Sequence, residues 1–110
     1  MAALAARRHT RRVISPADLR WRLPPDQRLV FEDFDDGILV FDTRVGGTHL
    51  VNPTAAEALE VVAATPGLTG AEIHRQVLER LGLDEAALPL AAVDELLLRL
   101  ADLCLVTATP

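Results

Sequence analysis

The sequence contains no lysine and no tyrosine, and it has one serine (Ser15) and one cysteine (Cys104). Without lysine, no side chain is available for a Schiff base or for the phosphate-binding loop of nucleotide hydrolases. A single cysteine cannot form an internal disulfide, nor can it build a cysteine-based metal site alone. Ser15 precedes a proline, and no nearby motif supports it as a hydrolase nucleophile. These absences argue against several common classes of enzyme.

Aromatic side chains and long apolar runs are also scarce. Only four residues are aromatic although half of the chain is apolar, so the core must consist of Leu, Val and Ala, and a buried cofactor is not expected. No apolar run approaches the ~18 residues that span a bilayer, and no apolar block follows the basic N-terminus as in a secretory signal. At 110 residues the sequence predicts one domain, without membrane contact, in the cytoplasm.

Positive charge is confined to arginine and concentrated at the start of the chain. Residues 1–28 contain seven arginines and two aspartates, whereas residues 29–110 contain four arginines and fourteen carboxylates, a net charge of −10. An acidic body repels the phosphates that supply most non-specific affinity for nucleic acid. We expect a flexible Arg-rich arm over residues 1–18, a folded domain over 19–107 and a C-terminal tail over 108–110.

The first half of the domain shows strand signals. An extended lead-in or edge strand is predicted over 19–25, where Trp21 and Leu23 alternate with arginine before two prolines and cover the core. Three apolar runs follow at 29–34, 38–42 and 48–52, with turn residues at Asp36-Gly37 and Val45-Gly46-Gly47 between them. This order predicts a three-stranded antiparallel meander.

The second half shows three helical segments, the first of which starts within three residues of the last strand. Its cap is either Thr54, in a capping box with Glu57, or Asn52, followed by proline at the first helical position. A second capping box starts the second helix at Thr69, and the third helix runs from about Leu90 to Leu103. The predicted fold is therefore α+β, a three-stranded antiparallel sheet followed by a three-helix bundle.

Apolar periodicity assigns a buried stripe to each helix. In the first two helices the stripes are Leu59, Val62 and Ala63, and Ile73, Val77 and Leu81. In the third helix the core-facing residues are Val93, Leu96, Leu97, Leu100, Leu103 and Cys104. An adjacent flank is also apolar and consists of Leu90, Leu98, Ala101 and Leu105. Either the strands wrap further round this helix or a partner covers the flank.

No residue pattern points to a catalytic or metal site. The histidines, His9, His49 and His74, have unrelated settings, and no pair shows the i, i+4 spacing of a helical zinc site. We interpret His49 as a strand residue facing one side of the sheet and Cys104 as a small buried hydrophobe. The acidic run 32–36 lacks the ligand spacing of an EF-hand. We expect no catalytic residue and no metal. Because the absence of motifs from one sequence is weak evidence, an enzyme stays open as an alternative.

The order of these elements and several local sequences carry a resemblance to a known family. The segment DGILVFDTRVGGTHLVNPTAAEALEVV is similar to the hairpin, third strand and first helix of the PqqD-like peptide chaperones. The segments LTGAEIHRQVLERLGLD and VDELLLRLADLCLV resemble the second and third helices of these winged helix-turn-helix domains, also called RiPP recognition elements. Trp21 together with Thr48-His49-Leu50 is most similar to the subgroup found with a kinase related to HPr kinase and a nucleotidyltransferase. The resemblance covers roughly residues 19 to 107.

One position departs from the family pattern. Cys104 stands where the family usually has glycine before the final Leu-Val pair. Glycine adopts a left-handed helix cap with little steric cost, whereas cysteine makes that conformation less favourable. The third helix is therefore predicted to continue for one or two residues more than it does in the family.

The resemblance implies binding rather than catalysis, because these chaperones capture the leader of a ribosomally synthesised precursor peptide and present it to a modifying enzyme. The leader adds as a further strand to the third strand, and its side chains enter the groove toward the third helix. Carried onto this sequence, the edge consists of Thr48, His49, Leu50 and Val51, and the groove wall of Asp94, Leu97, Leu98 and Ala101. Asp94 is expected to pair with a basic leader residue. The implied partners are the leader peptide and a modifying enzyme, such as the HPr-kinase-related kinase or the nucleotidyltransferase, with no cofactor.

Two other functions stay open. A winged-helix domain can bind nucleic acid, but the second helix sets Arg75 and Arg80 among glutamates, and the third helix offers only Arg99. Nucleic acid is therefore the less favoured partner. Alternatively, the apolar flank of the third helix is a homodimer interface, so both a monomer and a homodimer are considered.

Overall fold

The computed structural model describes residues 16–35, 37–44 and 46–110. Most of the predicted N-terminal arm, as well as Asp36 and Val45 of the two predicted turns, lies outside the described residues. The last three residues of the predicted arm, Pro16–Asp18, form a 3₁₀ turn. Over the described ranges, no helix has the length and apolar character needed to cross a membrane.

The described chain is α+β, with two three-stranded antiparallel sheets and three helices. In chain order the elements are β1 (Arg20–Arg22), β2 (Leu29–Phe34), β3 (Gly37–Asp42), β4 (Gly47–Val51), α1 (Pro53–Ala64), β5 (Leu68–Thr69), α2 (Gly70–Leu81), α3 (Leu90–Asp102) and β6 (Thr107–Thr109). The predicted meander is confirmed as the sheet β2-β3-β4, and the three predicted helices are present. The sequence predicted one sheet, whereas the structure has a second, with the order β5-β1-β6.

The second sheet corrects the predictions for both ends of the domain. β1 was predicted as an edge strand or lead-in, but it lies in the centre of its sheet, where Trp21 pairs with Leu68 of β5 and Ala108 of β6. The Trp21 side chain covers the core as expected and is only 2% exposed. The predicted C-terminal tail, 108–110, belongs for most of its length to β6. Strands of two and three residues are too short for apolar alternation to reveal them.

Helix α1 is the centre of the core. It packs against α2, α3, β1 and β3, and its buried residues are Ala55, Ala56, Ala58, Leu59, Val61 and Val62. Leu59 and Val62 are buried as predicted, but Ala63 is exposed and Val61 takes its place inside. A helix covered on several sides buries more than one stripe, so periodicity alone misplaced the boundary of its buried surface.

Local capping interactions fix the starts of two helices. The Asn52 side chain accepts a hydrogen bond from the Ala55 N–H at 2.8 Å, with Pro53 at the first helical position, so Asn52 rather than Thr54 caps α1. The predicted capping box of α2 is confirmed, since Thr69 accepts from the Glu72 N–H and the Glu72 carboxylate accepts from the Thr69 N–H. The hydrogen bonds that the Glu72 carboxylate accepts from the Thr69 N–H and the Thr69 hydroxyl hold the pKa of Glu72 below its ordinary value.

The C-terminal end of α3 contradicts two predictions about Cys104. The residue adopts the left-handed conformation, with φ of 62°, and α3 ends at Asp102 instead of continuing. The Cys104 N–H donates to the Ala101 carbonyl at 2.9 Å, and the Leu105 N–H donates to the Leu100 carbonyl at 3.0 Å. These two bonds form a Schellman motif, which is ordinarily built on glycine. Cys104 is exposed rather than buried, because the reversal directs Leu105 into the core instead.

A buried polar contact ties this reversal to the meander. The Gln27 amide nitrogen donates to the Asp42 carboxylate at 2.7 Å and to the Cys104 carbonyl at 3.2 Å. The second Asp42 oxygen accepts from the Arg44 N–H at 2.9 Å. Gln27 and Asp42 are both buried, so these hydrogen bonds are needed to offset the loss of solvent. The contact holds β3 against the chain that follows α3.

We predict that Cys104→Gly stabilises the protein. Glycine removes the steric cost of the left-handed conformation, about 1 kcal/mol, while the exposed thiol contributes little packing. Thermal unfolding should show a higher Tm for this variant than for the wild type. Cys104→Ala keeps the Cβ atom and should leave Tm nearly unchanged. An equal rise in both variants would show that the thiol, rather than the backbone, is responsible.

We also predict that Gln27→Ala is destabilising. The change removes a hydrogen bond to a buried carboxylate, which contributes about 2 kcal/mol. The matched control is Arg28→Ala, which alters the exposed neighbouring side chain. Urea unfolding should give a lower midpoint for Gln27→Ala alone. Equal midpoints for the two variants would show that the polar contact contributes no net stability.

Candidate functional site

The outer edge of β4 is open. The meander has the order β2-β3-β4, and no strand in the described part of the chain pairs with the outer side of β4. An open edge presents backbone N–H and C=O groups that can pair with another strand. The residues that present these groups follow from the hydrogen-bond alternation of the sheet.

A hydrogen bond next to the β2-β3 pair shows which residues of the sheet bond toward which neighbouring strand. The Thr43 N–H donates to the Arg28 carbonyl at 3.0 Å, directly beyond the Leu29–Asp42 pair. In an antiparallel pair, bonded and non-bonded positions alternate, so Phe41 and Leu39 bond toward β2 and Val40 bonds toward β4. His49, which lies opposite Val40, therefore bonds inward. Thr48 and Leu50 direct their backbone N–H and C=O groups to the open edge.

A groove of about 200 Å³ lies beside this edge, between the end of β4, the start of α1 and one face of α3. Its lining residues are Leu50, Val51, Asn52, Ala55, Leu96, Arg99, Leu100 and Leu103. Most of these side chains are apolar, and Arg99 is the one that carries charge. Leu50 and Leu103 are large apolar residues that stay 61% and 45% exposed. The groove thus joins unpaired backbone groups to accessible apolar surface.

The four predicted edge residues all lie in β4. Thr48 and Leu50 are exposed on one face of the sheet, whereas His49 and Val51 lie on the face that carries Val40. His49 is half-buried and Val51 is buried. Leu50 and Val51 are the two that line the groove. A role for these residues in peptide binding stays a prediction.

The four predicted wall residues do not line this groove. Leu97 is fully buried, Leu98 is exposed elsewhere on α3, and Ala101 lines a different cavity of about 290 Å³ beside Pro24 and Cys104. Asp94 lies against α2. Leu96 and Leu103, which were predicted to face the core, line the groove together with Arg99. Periodicity identified the apolar surface of α3 but not which of its sides faces β4.

Asp94 packs against the start of α2 rather than facing β4. One of its carboxylate oxygens occupies the space that a Cβ atom at Gly70 would need. Burial raises the pKa of Asp94 above its ordinary value, and the nearby His74 partly opposes this shift. His74 is itself buried, with Nε2 at 2.7 Å from the Leu88 carbonyl oxygen. This setting gives Asp94 a packing role between α2 and α3.

The apolar flank of α3 is largely covered by the chain itself. Leu105 is fully buried, and Leu90 and Ala101 are half-buried, whereas Leu98 stays 47% exposed. The flank was expected to be covered either by the chain itself or by a partner. Coverage by the chain itself accounts for three of the four residues. Leu98 is thus the one exposed side chain of this flank, which leaves little surface there for a homodimer interface.

The described chain has other cavities besides this groove. A cavity of about 320 Å³ lies at the end of the β2-β3 hairpin, between acidic Asp33 and Asp35 and apolar Phe34, Ile38 and Pro53. Among the described residues, no group of three or more His, Cys, Asp or Glu side chains is arranged to hold a metal ion. The groove beside β4 differs from this cavity in that Arg99 is the one charged residue of an otherwise uncharged, mostly apolar lining.

No family model matches the chain, and comparisons with curated proteins and with solved structures likewise find no match.

We predict that Asp94→Asn stabilises the protein at neutral pH but not in acid. Because the folded-state pKa lies above its ordinary value of 3.8, Asp94 contributes stability below that value and loses it as the pH rises through the folded-state pKa. Asparagine removes this half-buried charge, so its Tm should exceed that of the wild type at neutral pH and converge with it in acid. The control is Asp102→Asn, which removes an exposed charge from the same helix. The same pH dependence in both variants would contradict the assignment to Asp94.

Proposed function

We propose that the chain is a non-catalytic peptide-binding protein that takes up an extended peptide as an additional strand on β4. The observation that carries this proposal is the open edge of β4, where Thr48 and Leu50 direct backbone groups outward beside an apolar groove. Strand addition uses main-chain hydrogen bonds for affinity and alternate side-chain pockets for specificity. In this chain the open strand edge and the apolar groove lie next to each other.

The chemistry of the groove suits a peptide with apolar side chains. In an added strand, every second side chain points to the face that carries Val51, and thus toward Leu96, Leu100 and Leu103 of α3. Burial of an apolar side chain contributes about 1.5–3 kcal/mol when it is complete. One or two such side chains, together with the main-chain bonds, would supply a moderate affinity for an otherwise disordered segment.

The resemblance to the PqqD-like chaperones favours one kind of biological peptide as the ligand. We propose that it is the leader of a ribosomally synthesised precursor and that the chain presents it to a modifying enzyme, such as a kinase related to HPr kinase or a nucleotidyltransferase. The strand proposed to receive the leader is β4, the third strand of the meander, and the helix beside it is the third helix. The proposed wall residues are Leu96, Arg99, Leu100 and Leu103.

The charges of α2 favour a peptide over nucleic acid. Arg80 forms ion pairs with Glu57 and Glu60 of α1 at 3.3 and 3.6 Å, so this guanidinium is already engaged with carboxylates. Arg75 is exposed on the same helix, which also carries Glu72 and Glu79. A nucleic-acid-binding helix needs several free basic groups to neutralise phosphates. The described surface of α2 does not offer such a cluster.

We predict that Thr48→Pro abolishes peptide binding while the protein stays folded. Proline removes the outward N–H of Thr48, and an edge strand tolerates proline where its N–H faces solvent. Peptides would be selected from a displayed library of random sequences against the full chain, and their affinities measured by fluorescence polarisation. Thr48→Val keeps the N–H and should bind as the wild type does. Leu50→Pro provides a second test of the same edge.

Three outcomes would contradict the proposal. The first is that the selection yields no binding peptide, and the second is that Thr48→Pro and Leu50→Pro bind as tightly as the wild type. The third is a salt-dependent shift of mixed DNA by the chain that exceeds its affinity for any selected peptide. Circular dichroism of each variant would establish that the fold is retained. Light scattering at two concentrations would show whether β4 is instead occupied by a second copy of the chain.

A further inference from the structure

We infer that Arg99 selects a peptide that carries a carboxylate two residues from an apolar side chain. This inference rests on the proposed strand addition, and it identifies the chemical class of peptide that the groove accepts. It follows from the position of Arg99, from its lack of a partner and from the spacing of side chains in an added strand.

Arg99 is the charged residue of an otherwise uncharged groove. It lies on α3 one turn from Leu96 and one turn from Leu103, and all three residues line the groove. Its side chain is exposed, so its guanidinium is accessible to a ligand in the groove. A guanidinium binds a carboxylate through two parallel hydrogen bonds, which gives both strength and orientation.

Within the described part of the chain, Arg99 forms no ion pair. Glu95 and Asp102 lie one turn away on the same helix, but neither comes within ion-pairing distance of Arg99, whereas Arg80 is bound by two carboxylates. A free guanidinium at the border of an apolar groove is therefore available to an incoming carboxylate. The ligand need not displace an internal partner first.

The spacing of an added strand suits this arrangement. Side chains that share one face of a strand are separated by about 6.6–6.8 Å, which is close to the 5.4 Å pitch of a helix. Where the added strand runs alongside α3, a peptide with one apolar side chain against Leu96 or Leu103 thus brings its neighbour on the same face alongside Arg99. The flexible arginine side chain accommodates the small difference between the two repeats.

The net charge of the domain favours basic peptides, so it cannot account for a preference for a peptide carboxylate. Residues 29–110 have a net charge of −10, so long-range electrostatics favour basic peptides. A preference for an acidic residue at one position therefore has to come from a local contact. Arg99 is the basic side chain placed to make that contact in the groove.

The test is peptide selection from a displayed random library on three forms of the full chain: wild type, Arg99→Glu and Arg75→Glu. Both variants change the net charge equally, but Arg75 lies on α2, outside the groove. We expect wild type and Arg75→Glu to enrich Asp or Glu two residues from an apolar residue. Arg99→Glu should enrich Lys or Arg at that position instead.

The affinities of resynthesised peptides provide the second measurement. Replacing the selected Glu by Gln should weaken binding to the wild type about two- to fivefold, and should not weaken binding to Arg99→Glu. The inference is overturned if Glu and Gln peptides bind the wild type equally, or if Arg75→Glu changes the preference as much as Arg99→Glu. In either case, loss of binding in Thr48→Pro would leave strand addition intact. If binding survives Thr48→Pro, strand addition itself fails, and the inference with it.

Discussion

The junction between β4 and α1 is the constraint on which the proposed site depends. Val51 ends the strand, Asn52 caps the helix and Pro53 begins it, so a single residue separates an edge strand from the central helix of the core. Because α1 is packed on several sides, β4 cannot change its orientation without disturbing the core. The open edge is therefore held at a fixed position relative to α3. The Gly46-Gly47 pair at the start of β4 and the alanine-rich segment after the strand are parts of this one arrangement.

The fold could be predicted from the sequence wherever its determinants are local. Strand alternation and the Thr69 capping box depend on residues a few positions apart, and each is present as expected. The second sheet could not be predicted, because β1, β5 and β6 are very short and pair over long sequence separations. The residues of α3 predicted as the groove wall, Asp94, Leu97, Leu98 and Ala101, do not line the groove beside β4. Periodicity defines the apolar arc of a helix, whereas its rotation relative to β4 is set by packing among distant elements.

The conformation of Cys104 shows how tertiary packing outweighed a local preference. A left-handed cysteine costs about 1 kcal/mol relative to glycine, which argued for a longer helix. Ending α3 there buries Leu105 and Val106, and complete burial of one such side chain contributes about 1.5–3 kcal/mol. The same reversal directs the Cys104 carbonyl toward Gln27, which also binds Asp42. Burial and the hydrogen bond together exceed the backbone cost, so the reversal is retained without glycine.

An open strand edge pairs with any extended chain, so a protein that uses one must also limit what pairs with it. In this chain β4 is only five residues long, which restricts the number of main-chain bonds available to an unselected strand. The acidic body opposes the approach of a second copy, because like charges would be brought together across the shared edge. Main-chain bonding at Thr48 and Leu50 is indifferent to sequence, so discrimination between peptides must come from the groove. In the proposed complex, its apolar residues and Arg99, which forms no ion pair with the described residues, would supply that discrimination on the same side of the strand that provides the affinity.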